Sequence, residues 1–299
     1  VTPTTPSAAV TARPFDPDDP ELRRLAPGIR LVVTDMDGTL LRPDKSMPAG
    51  FDEILAAMAA RDIILAPASG RQYATLADQF AEVPCRTLFI AENGTNVVQD
   101  GREFYTSVLD PVLVRDVVEI TRSLSDDGLD VGAIVCRPDG AVVDRSDAAF
   151  MEHVDMYYVR NDVVDDLLGA TGGAIKVAIF SADHAEDRLW PAYERLSDRA
   201  KVTVSGRDWL AIVNLGTDKG TAVATVQERL GIGVDQTVVF GDYLNDLELM
   251  GRAALSFAMA NAHPRILAAA RAIAPSNADD GVVQVLRSLV TTPKPAALS

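Results

Sequence analysis

Cysteine is nearly missing from this 299-residue chain: Cys85 and Cys136 are the only two, they lie far apart, and they form no C-x-x-C or zinc spacing. Reduced structural thiols are therefore expected. The three histidines, His153, His184 and His263, are equally scattered, which argues against a histidine-built metal centre. Positive charge is scarce, with 28 Lys and Arg against 43 Asp and Glu and a net charge of −15, so nucleic acid and anionic membrane are poor candidates for partners. No run of about 18 apolar residues occurs. The opening residues VTPTTPSAAV show no basic segment followed by an apolar one. There is no internal repeat or coiled-coil heptad. A cytoplasmic, globular protein is the expectation, and its length suggests about two domains. An anionic chain that takes a phosphorylated ligand needs a local positive centre, so isolated Lys and Arg residues at strand ends become informative.

What is present centres on Leu31 to Leu41, LVVTDMDGTLL, where an apolar β-forming run stops at two carboxylates and a turn. Residues two apart on an extended segment share a face, so Asp35 and Asp37 should emerge together at the strand's carboxyl end, where open α/β sheets bind ligands. Two close carboxylates call for a divalent cation, or for a division into nucleophile and acid/base. The bland reading is an Asp-Gly turn that merely ends a strand.

Residues 1–27 carry six prolines among Thr, Ser and Asp and read as an extended or loosely docked arm. From Ile29, β-like runs alternate with helical stretches. Strand 31–34 precedes a helix from about Pro48 to Arg61, and strand 63–66 ends in Ala68-Ser69-Gly70-Arg71. A helix then leads to strand 88–91, which ends in Glu92-Asn93-Gly94. A hairpin around Asp100-Gly101 follows.

The region 108–205 reads as an α+β insert. It has a helix over 111–124, strands near 131–136 and 141–143, a short helix near Asp147 and a strand near Tyr157. A helix over 162–168, strand 174–180, helix 184–198 and strand 201–205 complete it. The alternating pattern then resumes with a core strand over Ala211–Asn214, a helix over 218–230 and strand 237–240, which ends in Gly241-Asp242-Tyr243-Leu244-Asn245-Asp246. The last helix spans about 280–289, and residues 293–299 read as a frayed tail. The fold class is α/β, a doubly wound parallel-sheet core (28–107 and 206–292) with an inserted α+β domain (108–205).

Loops at the carboxyl ends of neighbouring parallel strands converge. They gather Asp35 and Asp37, Ser69 and Arg71, Lys219, and Asp242 with Asn245 and Asp246. Carboxylates from two loops supply the hard oxygens Mg²⁺ prefers, and a Ser hydroxyl, helix-end amides and a Lys ammonium suit phosphoryl oxygens. Taken singly, each has a plainer role: Ser69 as a helix cap, Lys219 as a solvated charge, Asp242 and Asp246 as complements to a helix dipole, Arg71 in a surface pair, Asn93 in a turn. What these do not explain is why every one falls at a strand end or at the helix start after it.

Asp-x-Asp-Gly-Thr at 35–39, Ser69-Gly70-Arg71, Asp218-Lys219-Gly220 and Gly241 to Asp246 together resemble the four ordered motifs of haloacid dehalogenase-like phosphatases. Glu92-Asn93-Gly94, the large insert, Ala260-Asn261-Ala262 and Asp280-Gly281-Val282 resemble the Cof-type branch with a type IIB cap. The resemblance implies that Asp35 is the nucleophile forming an aspartyl-phosphate and that Asp37 is the general acid and then base. It implies that Mg²⁺ is held by Asp35, the Asp37 carbonyl and Asp242, with Asp246 directly or through water, and that Ser69 and Lys219 hold phosphoryl oxygens. Gly38, Thr39, Gly70, Arg71, Asn93 and Asn245 are implied in substrate binding or loop ordering. A carboxylate at position 37 separates the chain from the family's ion-pumping ATPases. The substrate expected is a small phosphorylated metabolite such as a sugar phosphate; a sugar phosphomutase or a weakly active phosphometabolite-binding regulator remain alternatives.

Overall fold

Fifteen strands can be followed in chain order through a computed structural model, which describes residues 12–182 and 185–290. They are β1 Arg13–Pro14, β2 Leu31–Thr34, β3 Ile64–Pro67, β4 Leu88–Ala91, β5 Asn96–Gln99 and β6 Arg102–Thr106. Next come β7 Val131–Cys136, β8 Ala141–Val143, β9 Asn161–Val163, β10 Lys176–Ser181, β11 Ala200–Gly206 and β12 Trp209–Asn214. The last three are β13 Thr237–Gly241, β14 Leu255–Met259 and β15 Ala272–Ala274.

The first sheet is parallel throughout, in the order β1-β15-β14-β13-β2-β3. Its central strands β2, β3, β13 and β14 are buried along their whole length, which is why they read as nearly continuous apolar runs. From β2 the chain builds outward through β3 on one side and through β13, β14 and β15 on the other. The topological switch point therefore lies between β2 and β13, and ligands of such sheets bind beyond the carboxyl ends of the strands there. β4 flanks β3 through parallel bridges at Leu65–Thr87 and Ala68–Ile90, and it starts the antiparallel β4-β5-β6 meander. The turn of that hairpin, Asp100-Gly101, has φ of +52° and +70°, the left-handed pair a two-residue hairpin needs.

The second sheet, β11-β12-β10-β7-β8-β9, is antiparallel except for β8 with β9. The strand alternation sorts its side chains cleanly. Val131, Ala133 and Val135 of β7 and Val177 and Ile179 of β10 meet the long helix Pro111–Asp126 on one face. Ile134, Cys136, Ala178 and Phe180 meet Phe150 and Val154 on the other.

Several expectations need correction. The strand expected over Ala211–Asn214 does not return to the parallel sheet. It lies within β12, which hydrogen-bonds to β10 and β11. The strand expected near Tyr157 is the last turn of the helix Ala148–Tyr157: Asp147 caps it by accepting from the Phe150 amide at 3.2 Å, and Phe150 and Val154, four apart, carry the buried face onward. In place of a helix over 162–168 stand β9 and a short 3₁₀ turn, Leu167–Ala170, capped by Asp166. The helix expected over 184–198 is broken into Ala185–Arg188, Trp190–Tyr193 and a 3₁₀ turn, because Pro191 has no N–H to continue the first segment; residue 184 lies outside the described residues.

The arm also differs from expectation over its described part. β1 adds to the edge of the sheet, and Leu22 and Leu25 of the helix Pro20–Leu25 are buried in the main core. Arg271 fastens it, donating to Glu21 at 2.6 Å and to Asp19 at 3.2 Å. Residues 1–11 and the expected tail at 293–299 lie outside the described residues. Among the described residues no helix is long and apolar enough to cross a membrane.

Candidate active site

The loops after β2 and β13 meet at the switch point. β2 is in register with β13 as far as Thr34 opposite Phe240, and the Asp35 amide donates to the Phe240 carbonyl at 3.1 Å, so Asp35 and Asp242 leave the sheet side by side. Gly38, at φ +85°, turns the chain beneath them. A Cβ on it would lie 2.3 Å from the Asp242 carboxylate, so the turn and the close approach both require glycine. Thr39 is fully buried and donates to Asp242 Oδ1 at 2.8 Å.

Lys219 stands at the start of the helix Lys219–Leu230, capped reciprocally by Asp218 and Thr221. Its ammonium is fully buried and donates to Asp35 Oδ1 at 2.5 Å and Asp246 Oδ1 at 2.7 Å. The other oxygen of Asp246 accepts from the Asp242 and Tyr243 amides at 3.0 and 3.3 Å. Burial opposes the charge on Lys219, but Asp246 and Asp35 outweigh it and hold its pKa above that of an ordinary lysine. Burial pushes Asp35 well above the usual carboxylate range despite Lys219, with Asp246 and Asp242 adding repulsion. Burial, then Asp246, pushes Asp242 up to about 7.

Asp37 faces a different environment. Arg71 donates to both of its oxygens, at 2.9 and 2.7 Å, and Lys45 adds a third contact at 2.7 Å. Burial pushes this carboxyl up, but Arg71 and then Lys45 prevail and hold it below the usual value. Asp35 and Asp37 thus open on one cavity while being held by different cations.

The turn Ser69-Gly70-Arg71 follows β3. The Ser69 hydroxyl accepts from the Arg71 amide at 3.1 Å. The next turn is zipped to it, with the Glu92 amide donating to the Arg71 carbonyl at 3.0 Å and the Asn93 amide to the Ser69 carbonyl at 2.9 Å. Asn93 is buried and accepts from Asn245 at 3.2 Å.

A cavity of about 520 Å³ separates this floor from the second sheet. Asp35, Asp37, Gly38, Ser69, Gly70, Arg71, Asp242 and Asn245 line it from below, whereas His153, Tyr157, Lys176 and Trp209 line it from above. Of the expected site residues, Thr39, Asn93, Lys219 and Asp246 stand behind the lining and support it. Lys45 and Lys176 were not singled out in the sequence. Nothing local marks Lys45, but Lys176 is the lone charge in the apolar run Ala174 to Phe180, a signal that could have found it.

The donor set suits a hard divalent cation. Carboxylate oxygens of Asp35, Asp242 and Asp246 lie within 4.8 Å of one another. Asp35 and Asp242 each keep one oxygen not engaged by Lys219 or Thr39, and a cation would compensate the buried Asp35 and half-buried Asp242 carboxyls together.

Residues 32–286 match the family model of haloacid dehalogenase-like hydrolases. The chain is 31% identical over 263 residues to the 5-amino-6-(5-phospho-D-ribitylamino)uracil phosphatase YbjI of Escherichia coli (strain K12), covering 86% of this chain and 95% of that protein. It is 29% identical over 242 residues to the HMP-PP phosphatase of Escherichia coli O6:H1, covering 80% and 87%. The structure of the HAD subclass IIB sugar phosphatase BT4131 superposes with a TM-score of 0.74 at 18% identity, over 86% of this chain and 98% of that one, a likeness of fold. The chain belongs to the haloacid dehalogenase-like hydrolases and is a phosphatase of their Cof-type branch.

Proposed function

We propose that the chain is a Mg²⁺-dependent phosphatase that hydrolyses a small organic phosphomonoester through an aspartyl-phosphate on Asp35. The observation that carries this reading is the pairing of Asp35 with Asp242 across the β2–β13 switch point, with the Lys219 ammonium 2.5 Å from Asp35. Asp35, Asp242 and the Asp37 carbonyl would hold Mg²⁺, with Asp246 behind them; when bound, the ion supplies charge compensation between the anionic ester and the anionic nucleophile.

The remaining chemistry belongs to the chain. Asp35 attacks phosphorus and the ester oxygen leaves, taking a proton from Asp37. Water then attacks the acyl phosphate and gives its proton to Asp37, which releases phosphate and restores Asp35. Arg71 and Lys45 favour the ionised Asp37 needed for the second step. For the first step Asp37 must take up a proton, which becomes easier as both cations turn toward an arriving phosphate. Lys219 keeps Asp35 oriented, and Ser69 with the Gly70 and Arg71 turn receives the phosphoryl oxygens. The cap, which we place at about 108–214 to include β12, closes the cavity against water.

The substrate class extends to phosphorylated metabolites like the one in the name of the E. coli relative. The decisive experiment incubates the protein with sugar phosphates, a ribitylaminouracil phosphate and other phosphomonoesters. Phosphate release that requires Mg²⁺ and vanishes in Asp35→Asn supports the reading; release that survives excess chelator or that substitution overturns it.

A further inference from the structure

We propose that Lys176, carried by the cap, is a positioning residue of this reaction: its ammonium joins the Gly70 carbonyl to the Glu92 carboxylate and so sets the phosphate-binding turn when the cap is seated. The proposal rests on the phosphatase reading above, and it assigns to one cap side chain a task at the floor of the site.

Lys176 opens β10 and shares a face with Ala178 and Phe180, the face turned toward the parallel-sheet unit. It is 2% exposed, and Glu92, with which it forms an ion pair, is 1% exposed. The ammonium donates to the Gly70 carbonyl at 2.8 Å and lies 5.2 Å from the centre of the Tyr158 ring. Taking both charges out of water is costly, and an apolar pair of the same volume is commonly as stable or more so. Stability therefore does not account for this pair.

Its location does. Gly70 lies between Ser69, which faces the cavity, and Arg71, which grips Asp37. Glu92 and Asn93 hold φ of +53° and +58°, a conformation that costs free energy in residues other than glycine and persists only where neighbours enforce it. Their amides donate to the Arg71 and Ser69 carbonyls. A single ammonium therefore stands where the Ser69–Arg71 turn and the left-handed turn meet. The cap reaches the same segment next door: Gln72 exchanges two hydrogen bonds with the Arg160 backbone, at 2.9 and 3.0 Å, and Thr75 donates to the Tyr157 carbonyl at 3.1 Å. Lifting the cap would remove Lys176 and leave both turns without their shared partner.

The test uses the full chain with Mg²⁺ and compares Lys176→Met, Glu92→Gln and the double variant. The double variant leaves no lone buried charge and so retains the fold. It is expected to melt near the parent while its kcat falls at least about tenfold and the midpoint for stabilisation by inorganic phosphate rises by a similar factor. The losses in the single and double variants should not add, because both residues act through one turn. A folded double variant whose kcat and phosphate midpoint match the parent overturns the proposal. If the parent itself hydrolyses no ester, the phosphatase reading fails, while the phosphate midpoint still decides the role of Lys176.

Discussion

Arg71 holds both carboxylate oxygens of Asp37, at 2.9 and 2.7 Å, while the Tyr157 ring of the cap lies 5.8 Å from the same guanidinium. One side chain thereby connects the acid/base candidate to the cap. Removing it in Arg71→Ala leaves burial as the largest influence on Asp37, so its pKa rises. A group that must be ionised to accept the water's proton then loses that state at a higher pH. The acid limb of the kcat profile is expected to move to higher pH, with kcat down roughly 10- to 100-fold at neutral pH. An unmoved limb would show that Asp37 does not govern it.

Asp35 and Asp37 should differ in what their amide variants leave behind. Asp35→Asn removes the proposed nucleophile and should lower kcat by at least about 10⁴-fold. Asp37→Asn should cost about 10²- to 10⁴-fold, the usual share of a general acid–base group. Mass spectrometry of acid-quenched turnover mixtures should find the phosphoryl adduct on Asp35 in the parent and none in Asp35→Asn.

Metal binding should depend on pH in a calculable direction. Burial raises Asp242 from 3.8 to about 7 in the folded chain and raises Asp35 as well. The folded state then binds protons that the unfolded chain has released, so metal-free stability falls as pH rises between those two values. Mg²⁺ must displace those protons, so its stabilisation grows over the same window. The increase in Tm on adding Mg²⁺ should be larger at pH ~8 than at pH ~5.5; an equal shift would argue against Asp242 as a ligand.

Gly38→Ala tests the turn under the proposed metal site. The added Cβ meets the Asp242 carboxylate at 2.3 Å and stands on a left-handed backbone. A stability loss of roughly 1–2 kcal/mol from the backbone alone is expected, together with weakened Mg²⁺ binding as Asp242 is displaced. Calorimetric titration with Mg²⁺ would reveal unchanged affinity if the close approach were unimportant.

Much of the site was legible before the structure because its residues sit where local pattern marks them. An apolar run that stops at a polar turn identifies a buried strand and its carboxyl end, and Asp35, Ser69, Lys219 and Asp242 all follow such runs or open the next helix. The Asp100-Gly101 hairpin was readable for the same reason: two adjacent residues contain the whole signal. Strand partnership is not written locally. The segment Trp209–Asn214 has the composition of a core strand, and only its hydrogen bonds to β10 and β11 assign it to the cap.

By itself, then, the sequence determined the family motifs, the alternation of strand and helix, and which residues stand at strand ends. The tertiary structure decided who meets whom. It seated residues 12–27 on the sheet edge, gave Asp37 to Arg71 and Lys45 while Asp35 went to Lys219, and brought Lys176 down onto Gly70 and Glu92. Periodicity and turn chemistry act over a few residues, whereas all of these pairings except Lys45 with Asp37 join segments far apart in the chain. Only the packed chain brings them into reach, and Lys219 and Lys176 then meet their carboxylates away from water.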